Sequence, residues 1–118
     1  MSQKIGFLAE DQACNYLTSQ GLRLVARNYS CRLGEIDLIM RDKEDLVFVE
    51  VRARASVAFG GSLASVTKSK QQKLIKTALL YLQINKLHDK QPFRFDVMGM
   101  EGNPPNMAWI KNAFGSDF

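Results

Sequence analysis

Asp37 and Glu50 are the side chains of this 118-residue chain best suited to chemistry. Each lies in a run that alternates with apolar residues, Gly34-Glu35-Ile36-Asp37-Leu38-Ile39 and Phe48-Val49-Glu50-Val51-Arg52. Such alternation reads as strand, and the polar connection Asp42-Lys43-Glu44-Asp45 makes the two runs antiparallel neighbours. With Arg41 paired to Leu46, Asp37 falls opposite Glu50 and Glu35 opposite Arg52, a register that a bulge would shift by one. Carboxylates facing each other across strands repel by a few tenths to about 1 kcal/mol when exposed, and by more when buried. A hard divalent cation offsets that repulsion. Mg²⁺ takes oxygen ligands, keeps several waters and is commonly held by one or two carboxylates plus a substrate phosphate. The competing reading is a surface ion-pair network in which Arg52 and Arg54 neutralise the acids.

The distribution of charge bears on that choice. Sixteen Lys and Arg against twelve Asp and Glu leave a formal charge of +4, a mild bias toward polyanionic partners. The excess is local. From Val51 to His88 there is no Asp or Glu, while Arg52, Arg54, Lys68, Lys70, Lys73, Lys76 and Lys86 are cationic. A basic tract after an acid pair suits phosphodiester chemistry, because cations track backbone phosphates while an ion sits at the scissile one. Taken singly, the lysines also fit a solvated helix face. One histidine and two cysteines are too few for a Cys/His zinc site without carboxylates. Any metal here should be a hard ion on oxygen.

These residues need a scaffold. The 46% apolar and 24% charged composition suits one domain spanning residues 1–118. Ile5, Leu8, Ala9, Ala13, Tyr16 and Leu17 predict a helix over Gln3 to Gln20, stopped by Gly21, with Glu10 at the border of its apolar stripe. Leu22 to Asn28 alternates as a strand, followed by a polar turn from Ser30 to Arg32. Gly34 to Arg41 and Leu46 to Arg54 are the next strands. One face carries Ile36, Leu38, Met40, Val47, Val49 and Val51, and the other carries the charged residues. Ala55 to Ser65 reads as a loop. Thr67 to Ile84 is a second helix burying Leu74, Ile75, Ala78, Leu79 and Leu82, with Lys70, Lys73 and Lys76 opposite. Phe93 to Met98 is a last strand, Glu101 to Asn106 a loop, and Met107 to Phe114 a closing segment over an edge or an end of the core. The expected class is α/β, a mixed central β-sheet flanked by helices, in the order α-β-β-β-α-β.

The runs around Asp37 and Glu50, together with Arg94-Phe95-Asp96-Val97, resemble the successive motifs of the YraN-type uncharacterised family. Gly6 and Glu10 before Tyr16-Leu17, and Asn112-Ala113-Phe114 near the end, match as well, so the resemblance spans nearly the whole chain. It implies the restriction-endonuclease-like fold of the PD-(D/E)xK superfamily, similar in style to archaeal Holliday-junction resolvases. The implied activity is a Mg²⁺- or Mn²⁺-dependent endonuclease acting on structured or branched DNA. Carried onto this chain, the resemblance makes Asp37 and Glu50 metal ligands, with the Val51 carbonyl as a third and Glu10 helping to complete the site. Arg52 joins them as a catalytic residue. Lys70 and Gln71 match a basic-polar pair near such sites, and Arg54, Lys68, Lys73 and Lys76 extend the nucleic-acid-binding surface. Two positions depart from the superfamily pattern. Arg52 stands where a lysine is usual and cannot lose its proton to act as a general base, and Ile36 stands at the proline.

Other chemistry-bearing residues read as structural. Asp96 suits a satisfied ion pair with Arg94, His88 a surface loop, and Trp109 and Phe114 lids on the core. Cys14 and Cys31 read as reduced thiols. No stretch has the apolar length of a membrane span and the start lacks a secretory signal, so a cytoplasmic protein with no membrane partner is expected. Three functions stay open: the nuclease, a non-catalytic nucleic-acid-binding module of the same fold, and a protein-interaction domain. The oligomeric state is open too, a homodimer included.

Overall fold

A computed structural model describes residues 2–54, 61–87, 90–102 and 104–115, with the backbone alone for residues 2–7 and Arg54. The first helix, α1 (Ser2–Ser19), buries Ala13 and Leu17 one turn apart. It ends at Gly21, whose φ of 102° lets the N–H groups of Gly21 and Leu22 close on the carbonyls of Thr18 and Leu17. Strands β1 (Arg23–Cys31), β2 (Gly34–Asp42) and β3 (Asp45–Arg54) form an antiparallel meander. A short helix α2 (Gly61–Ala64) and a long helix α3 (Lys68–Ile84) then cross to β4 (Phe93–Glu101), which pairs parallel to β3. Strand β5 (Asn106–Phe114) pairs antiparallel with β4, completing a five-stranded sheet in sequence order.

Helices cover both faces of this sheet. Leu74, Ile75, Ala78 and Leu82 of α3 pack on Ile39, Leu46, Phe48, Phe95 and Val97. Ala13 and Leu17 of α1 pack on Leu38, Met40, Val47, Val49 and Met98 on the other side. Thr67 caps α3, its hydroxyl oxygen accepting from the Lys70 N–H at 3.2 Å. Among the described residues no helix is long and apolar enough to cross a membrane, and Cys14 and Cys31 are free thiols.

The expected register holds where it was anchored. Arg41 pairs with Leu46, and the ladder runs to Leu38 and Val49. Four expectations need correction. Strand β1 continues through Ser30, so the polar turn shrinks to Arg32 and Leu33 between the pair Cys31 and Gly34. Residues 107–114 do cover an edge, but as a fifth strand paired with β4 rather than as an irregular segment. Within the expected loop Ala55 to Ser65, Gly61–Ala64 is α2 and Ser65 a turn, while residues 55–60 lie outside the described residues, as do His88 and the side chain of Ile5. Finally, Ile36 packs with the α3-side core and not with Leu38 and Met40.

The last point has a local cause. Ala26 and Tyr29, three residues apart in β1, both pack toward α3, and so do Ile36 and Ile39 in β2. Strict alternation puts residues three apart on opposite faces. The slip falls at Asn28, whose φ of 52° is left-handed, between the ladder pairs Arg27 with Leu38 and Tyr29 with Ile36. Both strands slip together, so their register is unchanged across it.

One buried acid ties the far end of the sheet together. Asp96 is fully buried and accepts from Arg94 Nε at 3.0 Å, Arg94 Nη2 at 3.2 Å, Trp109 Nε1 at 2.9 Å and the Asn112 N–H at 2.9 Å. Arg94 also reaches Asp42 at 3.0 Å and Asp45 at 3.4 Å, joining β4 to the β2–β3 turn. The satisfied ion pair expected for Asp96 is present. Replacing Asp96 by Ala would strand an indole N–H and a backbone N–H and leave the half-buried Arg94 guanidinium held only by Asp42 and Asp45. Asp96→Ala should therefore cost about 3–5 kcal/mol in urea unfolding, with Asp96→Asn losing distinctly less.

Candidate functional site

The site forms where two strands part. The β2–β3 ladder ends at Leu38 and Val49, yet β3 stays paired with β4 as far as Arg54 and Glu101. Beyond Val49 the β2-facing edge of β3 has lost its backbone partner. Asp37 fills the gap, its Oδ2 accepting the Val51 N–H at 2.9 Å. The two carboxyl groups of Asp37 and Glu50 come within hydrogen-bonding reach of each other, as the extrapolated register implied.

Helix α3 supplies the opposite wall. A cleft of about 280 Å³ is lined by Gly34, Glu35, Asp37 and Glu50 from the strands and by Lys70, Lys73 and Leu74 from the helix. Gly34 sets this spacing. A Cβ there would lie 3.0 Å from Thr77 Oγ1 and 3.8 Å from Lys73 Cβ, so a side chain at this φ of 154° would press on α3 where glycine does not. Acids thus face lysines across a narrow gap.

Burial dominates the electrostatics. The Glu50 side chain is 14% exposed, and burial first, then the charge of Asp37, push its carboxyl up to about 7 against the pull of Arg52 and Lys70. Asp37 is pushed up as well, by burial first, with the Val51 N–H opposing and the charge of Glu10 reinforcing. Arg52 Nη2 sits 3.0 Å from Glu50 Oε2, yet neither Nη2 nor Nε makes a hydrogen bond among the described residues. The anticipated pairing of Arg52 with Glu35 is replaced by this pairing with its neighbour on the same strand, because β2 has already left the ladder.

The remaining expected site residues divide. Glu10 on α1 pairs with Arg27 at 3.4 Å; it acts on Asp37 through its charge. Among the described residues no three acidic, histidine or cysteine side chains converge as a metal-holding group. Lys70 and Lys73 line the cleft, while Lys68 and Lys76 are exposed and do not line it. Gln71 donates from Nε2 to the Val66 carbonyl at 3.1 Å, bracing the start of α3. The Arg54 side chain lies outside the described residues. Sequence reasoning passed over Gly34, Glu35 and Leu74 as cleft-lining residues, and Arg27 as the partner of Glu10. The adjacency of Gly34-Glu35 to Asp37 was the only signal for the first two, and nothing in the spacing marked Arg27.

Comparison with known proteins gives a consistent set of relatives. Residues 9–100 match the profile of the Uncharacterised protein family UPF0102. The chain is 53% identical to the UPF0102 protein lpg2994 of Legionella pneumophila over 97% of both chains. It is 52% identical to a UPF0102 protein of Psychromonas ingrahamii, over 96% of this chain and 91% of that one. A UPF0102 protein of Coxiella burnetii is 48% identical over 100% of this chain and 98% of its own.

The raised Glu50 carboxyl has a pH consequence. Between its ordinary value of 4.5 and about 7 the native state holds more protons at this position than the unfolded chain does, so stability falls as pH rises. The contribution is fully present below 4.5 and lost through about 7. Glu50→Gln should flatten that part of the stability profile and be more stable than wild type at about pH 8 by on the order of 2 kcal/mol, read from urea midpoints across pH. An unchanged slope between about pH 5 and 7 would show that Glu50 titrates normally.

Proposed function

Because the chain belongs to the Uncharacterised protein family UPF0102, a membership that assigns no reaction, we propose one from the site: a metal-dependent endonuclease that hydrolyses phosphodiesters in structured or branched DNA. The observation that carries this reading is the partly buried Asp37 and Glu50 pair facing Lys70 and Lys73 across a cleft. The mixed sheet with acids on two successive strands also fits the restriction-endonuclease-like fold of the PD-(D/E)xK superfamily, to which the proposal assigns it.

The donor set suits Mg²⁺ or Mn²⁺. Two partly buried carboxyl groups that repel each other when ionised offer hard oxygen ligands, and neither histidine nor cysteine stands among the cleft residues. Two protein carboxylates are enough for an ion that keeps waters and takes a substrate phosphate. Asp37 and Glu50 would hold it, with Glu10 as a further carboxylate. A bound ion would supply Lewis-acid stabilisation and a more acidic water. The chain's own residues do the rest. Lys70 and Lys73 bind the phosphates on either side of the scissile one, and the apolar Leu74 limits water on the helix wall. Arg52 keeps its proton and sits 3.0 Å from Glu50, so its part is to hold that carboxylate in place and temper its charge rather than to act as a base.

A second reading draws on the same arginine. The Arg52 pairing with Glu50 at 3.0 Å already balances one carboxylate without an ion, which favours a non-catalytic nucleic-acid-binding module. Purified protein with Mg²⁺ or Mn²⁺ should cleave at least one of a panel of duplex, flap, four-way-junction and single-stranded DNAs. Asp37→Asn should lower that rate on the order of 100-fold or more. Salt-sensitive binding weakened by Lys70→Ala and Lys73→Ala, with no metal-dependent cleavage on any substrate, would establish the module instead.

A further inference from the structure

The cleft holds charges of both signs that stay unpaired among the described residues. Glu35 is exposed on β2, two residues before Asp37, and lines the cleft together with Lys70 and Lys73. Had the β2–β3 ladder continued in register, Arg52 would lie opposite Glu35. Strand β2 leaves that ladder at Leu38, and Arg52 pairs with Glu50 at 3.0 Å instead. Among the described residues Glu35, Lys70 and Lys73 make no ion pair. The backbone of Glu35 is held by its pairing with Ser30 of β1, so its charge stays at the cleft.

Hydrolysis of a phosphodiester changes the charge on the phosphate. A water oxygen bonds to phosphorus, one P–O ester bond breaks, the departing oxygen takes a proton, and the phosphate gains a second ionisable hydroxyl. The internal diester carries a single negative charge, whereas the terminal monoester it becomes carries about 1.5 to 2 at neutral pH. Lysines attract that dianion more strongly than the diester, which by itself would make the cleft a trap for its own product. A space of about 280 Å³ is roughly 6.5 Å across if equal in all directions, and at that separation one further like charge weakens binding about threefold in water and by tens of fold near a protein surface. Asp37 and Glu50 repel phosphate too, but in the reading above a divalent ion offsets them. Glu35 is not among the residues that would hold the ion, so its repulsion outlasts ion binding.

Resting on the reading of Lys70 and Lys73 as phosphate-binding residues, we propose that Glu35 biases the cleft toward an internal phosphodiester and against a terminal phosphate monoester. It opposes the extra charge that the lysines attract, so a cleaved end is released more readily than the lysines alone would allow. The acid neither holds the ion nor touches the reacting phosphorus. Its effect is on which phosphates stay.

Binding of fluorescent tetrathymidylates that end in a hydroxyl, a 5′ phosphate or a 3′ phosphate tests this at about pH 8, where a terminal phosphate is dianionic. The titrations are run in EDTA, so that no turnover intrudes while Glu35 and both lysines are present, and repeated in Mg²⁺. Glu35→Gln should tighten the better-bound phosphorylated oligomer about threefold or more relative to the hydroxyl one, and Glu35→Lys should extend that shift. Glu35→Asp, which keeps the charge, should keep the wild-type ratio. Glu44→Gln makes the same change of net charge at the exposed β2–β3 turn, away from the cleft residues, and should leave the ratio alone. Equal tightening of all three oligomers, or an equal shift in Glu44→Gln, is the mark of a general field and overturns the proposal. An unchanged ratio in both Glu35→Gln and Glu35→Lys also overturns it, and the phosphate-binding reading survives if Lys70→Ala and Lys73→Ala still weaken binding. Binding that those lysine variants leave untouched, or none by wild type in either EDTA or Mg²⁺, overturns the phosphate-binding reading and the selectivity with it.

Discussion

The site depends on a mismatch in length between two ladders. Strand β3 pairs with β4 along its whole run, but β2 releases it after Val49. A freed strand edge inside a covered sheet exposes backbone N–H and C=O groups that need partners. Asp37 meets part of that need with a side chain, and in doing so turns its carboxyl away from solvent and toward Glu50. The cleft is the space left by the parting strands, and Gly34 lets α3 close it from the other side. Ladder, acid pair and basic wall are thus parts of one geometric decision.

Holding these acids together costs stability, and the surrounding structure offsets some of it. Arg52 sits against the Glu50 carboxylate, and the Val51 N–H favours the charged form of Asp37. The offset is incomplete, since Glu50 is still pushed up to about 7. A second acid, Asp96, is buried more completely and yet fully compensated, with Arg94, Trp109 and Asn112 all donating to it. The contrast separates an acid used as a structural pin from acids left under-compensated, which is the condition expected of a site awaiting a cation or a charged substrate.

Much of this scaffold was legible because it rests on short-range patterns. The Arg41 and Leu46 pairing follows from alternation on both sides of a polar turn, and α3 follows from Thr67 and the stripe through Leu74, Ala78 and Leu82. Strand β5 was not legible. As an edge strand it is half-buried along most of its length, so burial does not alternate, and Asn112 adopts a left-handed φ of 50° beside an irregular register with β4. The slip at Asn28 was hidden for a related reason. Asparagine tolerates left-handed backbone at little cost, so the residue type permits the slip without announcing it. The lysines show a third limit. Lys70, Lys73 and Lys76 lie on one side of the helix by spacing, but only the first two reach the cleft.

Residue type and spacing alone brought two carboxylates to neighbouring positions on adjacent strands, set a tract without acids after them, and left too few histidines and cysteines for a Cys/His zinc site without carboxylates. These are consequences of composition and of the two-residue period of a strand, which need no knowledge of distant contacts. Tertiary structure alone decided where β2 lets go of β3, which lysines face the gap, and which arginine holds Glu10. Each of those depends on how far one ladder runs past another and on the packing of helices from opposite faces. Such outcomes are settled by long-range burial and by backbone pairing across the sheet, and no local pattern carries them.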